Sequence, residues 1–169
     1  MKVGIISDTH DNLTMIRKAI KKFIEAKVEL IIHCGDMVSP FSAREFEKVG
    51  DKLVYVYGNN DGDRIALGNA LRKIGATVYE GPLNLEFSGV KFMVYHGFKD
   101  AELTKELPRI VAKSGNYDYI LYGHTHKLDV ERIGNSTVIN PGECCGYLTG
   151  ESTIVILDTE DKKVNILRL

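Results

Sequence analysis

The sequence predicts an α/β fold in which two mixed β-sheets pack face to face as a β-sandwich, with α-helices outside. Three observations indicate this fold. Apolar strand patterns alternate with helical patterns through the first half of the chain, and such βα units form a parallel sheet with right-handed crossovers. Beyond residue 80 the pattern changes to β-hairpins. Five of the apolar strands end in Asp, His or Asn, which places polar side chains at one rim of the sheets.

The first half of the chain repeats a strand followed by a helix. A continuous apolar strand at Val3–Ser7 precedes apolar residues at helical spacing from Leu13 to Ile24, with Asp11 or Asn12 placed to cap that helix. Strands without polar alternation are typical of a sheet that is buried on both faces. The same rhythm predicts, in order, a strand at Leu30–His33, a helix near Pro40–Lys48, a strand at Leu53–Tyr57, a helix near Arg64–Lys73 and a strand at Thr77–Glu80.

The second half contains three predicted hairpins. Leu83–Phe87 and Val90–Tyr95 are separated by Ser88-Gly89, and a two-residue gap that contains glycine is typical of a tight turn. A helix near Ala101–Lys113 and a strand at Tyr119–Tyr122 follow. The last two hairpins pair Val130–Ile133 with Thr137–Ile139 and Thr153–Leu157 with Val164–Leu167.

The composition indicates one domain over residues 1–169. The chain is 44% hydrophobic and has no linker-like segment, so it buries one sizeable core. Its formal net charge is −1 and its basic residues are scattered, so we expect no obligate nucleic-acid partner. The chain enters a strand without a charged leader, and no apolar stretch approaches the roughly 20 residues that span a bilayer. We therefore expect a soluble, cytoplasmic protein.

The three cysteines provide no disulfide framework. Cys144 and Cys145 are adjacent, a spacing that rarely permits a bridge without strain. No CxxC motif points to zinc binding by these thiols. We interpret both residues, together with Cys34, as small buried side chains of a protein in a reducing compartment.

The polar strand ends form a pattern of metal-ligand residues. Asp8-Thr9-His10 and His124-Thr125-His126 each carry two such residues at positions i and i+2, which project to the same side of an extended backbone. One polar strand end would be ordinary, and neither triplet completes a metal site alone. Parallel strands gather their carboxyl ends at one rim, and the predicted metal crevice there also receives three further strand ends: Asp36, Asn59 and His96.

With its motifs in this order, the chain resembles the calcineurin-like metallophosphoesterases, and among them the small single-domain phosphodiesterases of archaea and bacteria. The motifs are Asp8-x-His10, Gly35-Asp36, Gly58-Asn59, His96 and Gly123-His124-x-His126. The resemblance covers essentially the whole chain and implies the family's two mixed sheets flanked by helices. It implies one metal ion held by Asp8, His10, Asp36 and His126, and a second held by Asp36, Asn59, His96 and His124, with Asp36 as the bridge.

This ligand set suits hydrolysis of a phosphate ester. Two divalent ions bring four positive charges against the two carboxylates of Asp8 and Asp36, so the site keeps a net charge near +2 that attracts phosphate. A water shared by ions roughly 3.5 to 4 Å apart loses a proton near neutral pH and attacks phosphorus. Imidazole-rich sites favour transition metals, so we expect two divalent ions, foremost Mn²⁺, with Ni²⁺, Fe, Co²⁺ or Zn²⁺ as alternatives.

Asn60 stands where many relatives carry a histidine that is thought to protonate the leaving group. An amide donates hydrogen bonds to phosphate but cannot deliver a proton. We predict Asn60 and Asp36 as catalytic residues, with Asn60 in contact with the substrate phosphate. The residue that protonates the leaving group is not assigned. Asp61 is interpreted as the cap of the next helix, with orientation of the metal site as the alternative, and His33 as a core histidine. Asn140-Pro141-Gly142 is interpreted as a tight turn in the site wall.

The expected protein is a dinuclear metal-dependent phosphodiesterase acting on a small phosphodiester by attack of a metal-bridging hydroxide. One alternative is a non-catalytic interaction protein on the same fold, like the retromer scaffold subunit, which has an impaired metal centre; the full ligand set favours the enzyme. Another is a phosphomonoesterase or nuclease, because the chain has no cap domain to select a substrate. The oligomeric state stays open, and the apolar hairpins beyond residue 80 offer a homodimer surface.

Overall fold

A computed structural model describes residues 1–169 of the protein. Its helices are α1 (Leu13–Ala26), α2 (Pro40–Ala43), α3 (Arg64–Lys73) and α4 (Ala101–Lys113), and a 3₁₀ segment at Arg44–Lys52 follows α2. Its strands are β1 (Lys2–Ile6), β2 (Leu30–His33), β3 (Leu53–Val56), β4 (Thr77–Tyr79), β5 (Leu83–Phe87), β6 (Val90–Val94), β7 (Tyr119–Leu121), β8 (Leu128–Ile133), β9 (Ser136–Pro141), β10 (Thr153–Asp158) and β11 (Lys163–Arg168). Every predicted strand is present, in the predicted order.

The strands form two mixed sheets, as predicted. The six-stranded sheet has the order β11-β10-β1-β2-β3-β4. Its strands β1 to β4 are parallel, and β10 and β11 are antiparallel additions on the other side of β1. The five-stranded sheet has the order β5-β6-β7-β9-β8, in which the three central strands are parallel and both edge strands are antiparallel. The βα units therefore form the parallel parts of the sheets, and the hairpins supply antiparallel strands at the edges.

Each sheet buries both of its faces. Alternate residues of the two sheets, such as Ile5 and Ile32 against Phe92 and Leu121, form the core between them. The opposite face of the six-stranded sheet is covered by α1, α3 and the 3₁₀ segment, and that of the five-stranded sheet by α4. The layers therefore follow the sequence helix, sheet, sheet, helix. No helix combines the length and the apolar character needed to cross a bilayer.

The helix predicted near Pro40–Lys48 differs from the observed structure. Only α2 is α-helical, and the chain continues as a 3₁₀ segment to Lys52. Phe46 and Val49 lie three residues apart and are both buried, a spacing that matches the three residues per turn of a 3₁₀ helix. Val49 has a non-helical φ of −137° where the segment turns toward β3. The segment therefore winds more tightly than predicted and still keeps both side chains in the core.

The parallel strands end together, which creates the rim that the polar residues occupy. The last residues of β1 and β2 are paired as Ile6 with His33, and those of β6 and β7 as Val94 with Leu121. The loops beyond these ends are hydrogen-bonded to one another. The backbone amide of Asp8 donates to the carbonyl of Gly35 at 3.0 Å, and the backbone amide of Gly123 donates to the carbonyl of His96 at 2.9 Å. The rim is therefore a connected layer of loops across both sheets.

Gly4 provides a test of the packing between β1 and α1. A Cβ atom at Gly4 would lie 2.7 Å from the ring of Phe23, which is completely buried. We expect Gly4→Ala to lower the free energy of unfolding by about 1 to 3 kcal/mol, as overpacking does, measured by urea denaturation. The control is Gly62→Ala, because nothing lies within 4 Å of a Cβ there. Equal losses in the two variants would contradict the packing argument.

Candidate metal centre

All seven predicted ligand residues meet at the rim where the parallel strands end. Their polar atoms form a continuous series in space that runs through His126, Asp8, His10, Asp36, His96, Asn59 and His124, with neighbouring donor atoms 2.7 to 3.9 Å apart. Asp36 stands in the middle of the series and has contacts on both sides. Five separate strand ends therefore bring these seven side chains together.

The backbone of the two triplets is not extended, so the geometry assumed for them was wrong. Asp8, His10, His124 and His126 all have positive φ, between 39° and 66°, as does Asp36 at 60°. Non-glycine residues rarely adopt this region, and such strain persists only where surroundings enforce it. Here hydrogen bonds enforce it, because the amides of Thr9 and His10 both donate to the carbonyl of Asp36, at 3.0 and 3.1 Å.

Asp8, His10 and His126 form the first group of donors. Asp8 Oδ1 lies 3.5 Å from His126 Nε2 and 3.9 Å from His10 Nε2. Asp8 Oδ1 and His10 Nε2 are buried without any hydrogen-bond partner. Buried polar atoms are almost always paired, and three donor atoms that converge in this way suit a cation. The chemistry of this group therefore fits a divalent metal ion.

His96, Asn59 and His124 form the second group, next to Asp36. Asn59 Oδ1 lies 2.9 Å from His96 Nε2 and 2.7 Å from His124 Nδ1. The other ring nitrogen of His96, Nδ1, lies 2.8 Å from the carbonyl oxygen of Cys34. A carbonyl only accepts, so Nδ1 carries the hydrogen and Nε2 faces the donor group. The backbone thus fixes which nitrogen of His96 is available to a metal.

Asp36 joins the two groups. Its Oδ2 lies 3.6 Å from His10 Nε2 and 3.3 Å from His96 Nε2. Asn60 holds the same carboxylate, donating from its backbone amide to Oδ1 and from Nδ2 to Oδ2, both at 2.7 Å. Burial raises the pKa of Asp36, but the nearby His96 and the hydrogen bonds from Asn60 outweigh that effect and hold the pKa well below its usual range. This contact of Asn60 was not foreseen from the sequence.

Asp8 has the opposite electrostatic environment. Burial raises the pKa of its carboxyl above the usual value, and the nearby His96 only partly offsets that effect. Oδ2 accepts a single hydrogen bond, from the His124 amide at 3.1 Å, and Oδ1 accepts none. The pKa of His124 is lowered by burial and by the neighbouring His96. The site therefore contains one carboxylate that the fold stabilises and one that it does not.

Asp61 does not cap α3, so the interpretation favoured from the sequence was wrong. Asp63 is the cap, and its Oδ1 accepts from the amide of Ala66 at 2.9 Å. Asp61 is buried instead, and it accepts from the amides of Gly58 and Val38 and from the hydroxyl of Tyr55, at 2.6 to 2.8 Å. A buried carboxylate needs several donors, and these ones fasten the Asn59 loop to the loop that follows Asp36.

His33 is a buried core histidine, as predicted. Its Nδ1 accepts from the amide of Gly35 at 3.1 Å, which leaves Nε2 to donate to the hydroxyl of Thr9 at 3.2 Å. Burial lowers the pKa of His33 to about 3, so the ring is neutral. Asn140 supports the other triplet, because its Nδ2 donates to the carbonyl of Gly123 at 2.9 Å. Both residues hold the loops that carry ligand residues.

Glu143 is a residue of the site that sequence reasoning missed. It is fully buried, and its Oε2 accepts from His126 Nδ1 at 2.7 Å. Burial raises the pKa of Glu143, but hydrogen bonds from His126 and Thr149 outweigh it and leave the pKa at about 2. The signal that could have revealed it is a lone acidic residue directly after Asn140-Pro141-Gly142. The tight turn predicted there was wrong, because Asn140 and Pro141 are the last residues of β9 and pair with β8.

His126, Glu143 and Cys145 also lie close enough together to be considered as a metal site. The carboxylate of Glu143 already accepts from several donors, including the Cys145 thiol at 3.0 Å. Burial raises the pKa of Cys145 to about 12, so its thiol is protonated near neutral pH and donates to Glu143. The hydrogen bonds of this group therefore orient His126.

The sequence profile described as the calcineurin-like phosphoesterase superfamily domain matches residues 1–162. The chain belongs to this superfamily. This calcineurin-like phosphoesterase is 47% identical over 164 residues to a Methanocaldococcus jannaschii protein named as a phosphodiesterase, with 96% of each chain covered. It is also similar to a solved structure described as a novel archaeal phosphodiesterase, at 45% identity and a TM-score of 0.89, with both chains fully covered. The family resemblance is confirmed, and these matches support a phosphoesterase function.

A more distant solved structure shares only the fold. Vacuolar protein sorting 29 from Cryptosporidium parvum has a TM-score of 0.61 at 17% identity, with 99% of this chain and 96% of that chain covered. Its name refers to sorting and not to catalysis. A shared fold does not by itself establish a shared activity, so the functional argument for this calcineurin-like phosphoesterase depends on its donor atoms.

The two carboxylates are expected to affect stability in opposite directions in metal-stripped protein near neutral pH. The raised pKa of Asp8 means that folding disfavours its charge, so Asp8→Asn should raise the free energy of unfolding. The lowered pKa of Asp36 means that folding favours its charge. The NH₂ group introduced by Asp36→Asn would also face the N–H donors of Asn60. We therefore expect Asp36→Asn to lower the free energy of unfolding by about 1 to 3 kcal/mol. Urea denaturation in chelator measures both, and shifts of the same sign would refute the contrast.

Proposed function

We propose that this protein is a dinuclear metal-dependent phosphodiesterase. The observation that carries the proposal is the unbroken series of seven donor residues with Asp36 at its centre. Asp8, His10, Asp36 and His126 would hold one divalent ion, and Asp36, Asn59, His96 and His124 the other. The unpartnered atoms Asp8 Oδ1 and His10 Nε2 support the first assignment. Ions bound there would supply a water that is deprotonated near neutral pH and positive charge for the phosphate.

The charge of the donor set supports an anionic substrate. Only Asp8 and Asp36 are carboxylates, and the remaining five donors are neutral. Two divalent ions would bring four positive charges against these two negative ones, which leaves a net charge near +2. A phosphodiester carries one negative charge and is attracted to such a site. The four imidazoles support Mn²⁺ as the resident metal, with Ni²⁺, Fe, Co²⁺ or Zn²⁺ as alternatives.

Asn60 is proposed to act in two ways at this site. One N–H of its side-chain amide donates to Asp36 Oδ2, and its backbone amide donates to Oδ1. An amide group has two N–H donors, so the second remains for an oxygen of the substrate phosphate. Neither donor gives up a proton near neutral pH. Asn60 would therefore orient Asp36 and bind phosphate without protonating the leaving group.

Metal content and substrate class test the proposal together. We expect chelator-stripped protein reloaded with Mn²⁺ to bind two ions per chain and to hydrolyse bis(p-nitrophenyl) phosphate faster than p-nitrophenyl phosphate. Asn59→Ala should lose mainly one of the two ions, whereas Asn135→Ala, in the exposed turn between β8 and β9, should retain both. Elemental analysis and release of nitrophenol measure these outcomes. The proposal would be contradicted if the protein bound one ion or none, or if fully loaded protein hydrolysed no phosphodiester. A preference for the monoester or for a polynucleotide would instead change the assigned substrate class.

The dependence on the leaving group tests the role of Asn60. Without a proton donor there, cleavage should rely on the acidity of the leaving group, so alkyl phosphodiesters should react much more slowly than aryl ones. General-acid assistance is worth about 10² to 10⁴ in rate, and Asn60→His should restore part of that factor for poor leaving groups only. Plots of log kcat against leaving-group pKa compare the two proteins. A flat plot for the wild type, with chemistry rate-limiting, would show that another group donates the proton.

A further inference from the structure

The carboxylate of Glu143 connects His126 to the loop at residues 146–150. Oε2 accepts from His126 Nδ1 at 2.7 Å and from the Cys145 thiol at 3.0 Å. Oε1 accepts from the amides of Leu148 and Thr149 at 3.0 and 2.5 Å, and from the Thr149 hydroxyl at 2.7 Å. One buried side chain therefore accepts from five donor groups, four of which belong to the segment that follows it.

The loop at residues 146–150 has little packing of its own. Tyr147 and Leu148 are 61% and 74% exposed, so neither side chain anchors the loop in the core. Gly146 and Gly150, at its ends, have φ values of 71° and 78°, a region that favours glycine. The loop conformation is thus held by the hydrogen bonds to Glu143 and not by burial of apolar surface.

We propose that Glu143 is a positioning residue that couples metal binding at His126 to the conformation of the loop at residues 146–150. The inference rests on the proposed role of His126 as a metal ligand. A carboxylate near neutral pH only accepts, so His126 Nδ1 carries the hydrogen and Nε2, which faces Asp8 Oδ1 at 3.5 Å, has the free lone pair. Glu143 therefore keeps His126 in the tautomer that binds a metal.

The coupling follows from the chemistry of imidazole. A cation at Nε2 withdraws electron density from the ring, which makes Nδ1–H a stronger donor to the carboxylate. The strengthened contact fixes the position of Glu143, and with it the amides of Leu148 and Thr149. Linkage is reciprocal, so any change that weakens the hold of Glu143 on the loop also weakens metal binding at His126.

A glutamine cannot replace Glu143 in both roles. Its amide has one accepting oxygen, and its NH₂ group must face either His126 or the loop. An NH₂ group facing His126 would switch the ring to the tautomer with hydrogen on Nε2, which cannot bind a metal. An NH₂ group facing the loop would oppose the amides of Leu148 and Thr149. Either arrangement breaks the connection between the metal site and the loop.

The experiment measures Mn²⁺ affinity and loop mobility in the full chain. The protein has no tryptophan, so Tyr147→Trp introduces a single fluorescent reporter on the exposed loop. We expect Mn²⁺ to raise the fluorescence anisotropy of this reporter protein. Adding Glu143→Gln should abolish that rise and weaken one of the two Mn²⁺ affinities about 10- to 100-fold in calorimetry. Glu143→Asp, which keeps the charge, should recover part of both signals.

Glu151→Gln is the matched control, because it makes the same chemical change in an exposed residue just beyond the loop. It should leave the Mn²⁺ affinities and the anisotropy rise unchanged. Wild-type affinities and an unchanged rise in Glu143→Gln would overturn the inference. If Glu143→Gln does not fold, Thr149→Val is the second variant, because it removes one loop donor to Glu143 without touching His126. We expect Thr149→Val to bind Mn²⁺ severalfold more weakly. Unchanged Mn²⁺ binding in this variant would overturn the inference. None of these readouts uses hydrolysis, so an inactive protein that shows the coupling would refute only the proposed function.

Discussion

The contacts of the Asp36 carboxylate are the interaction on which the candidate metal centre depends. Its Oδ2 lies near the imidazoles of both His10 and His96, and its two oxygens accept from the two donor groups of Asn60. Gly58 passes so close to Asp36 that any Cβ there would collide with the carboxylate. The loops after β1, β2, β3 and β6 are therefore positioned relative to one side chain, and a displacement of Asp36 would disturb both donor groups at once.

The site combines features that oppose folding with a surrounding layer that stabilises them. Five ligand-type residues have positive φ, and Asp8 has a carboxylate oxygen that is buried without a partner. Several residues around them are hydrogen-bonded: His33 and Asn140 hold the loops of the two triplets, and Asp61 accepts from three donors. Functional sites commonly carry such strain, and the rest of the structure compensates for it.

The sequence predicted the fold well because periodicity reports burial. The apolar run of β1 and the alternation in the hairpins specified both sheets, and the ligand-type strand ends specified the rim. The helix predicted after Pro40 was partly wrong, since the three-residue spacing of Phe46 and Val49 fits an α-helix and a 3₁₀ helix equally. The roles of Asp61 and Glu143 were missed, because each depends on a donor that is distant in sequence: Val38 for Asp61, and His126 for Glu143.

The two donor groups share Asp36 but differ chemically, because their histidines are oriented by different acceptors. His96 Nδ1 faces the carbonyl oxygen of Cys34, which is a neutral acceptor. His126 Nδ1 faces the carboxylate of Glu143, which is charged. A carboxylate behind an imidazole makes its other nitrogen a more basic ligand than a carbonyl does. The residues behind the histidines therefore add a second chemical difference between the two donor groups, beside the carboxylate of Asp8 in one and the amide of Asn59 in the other.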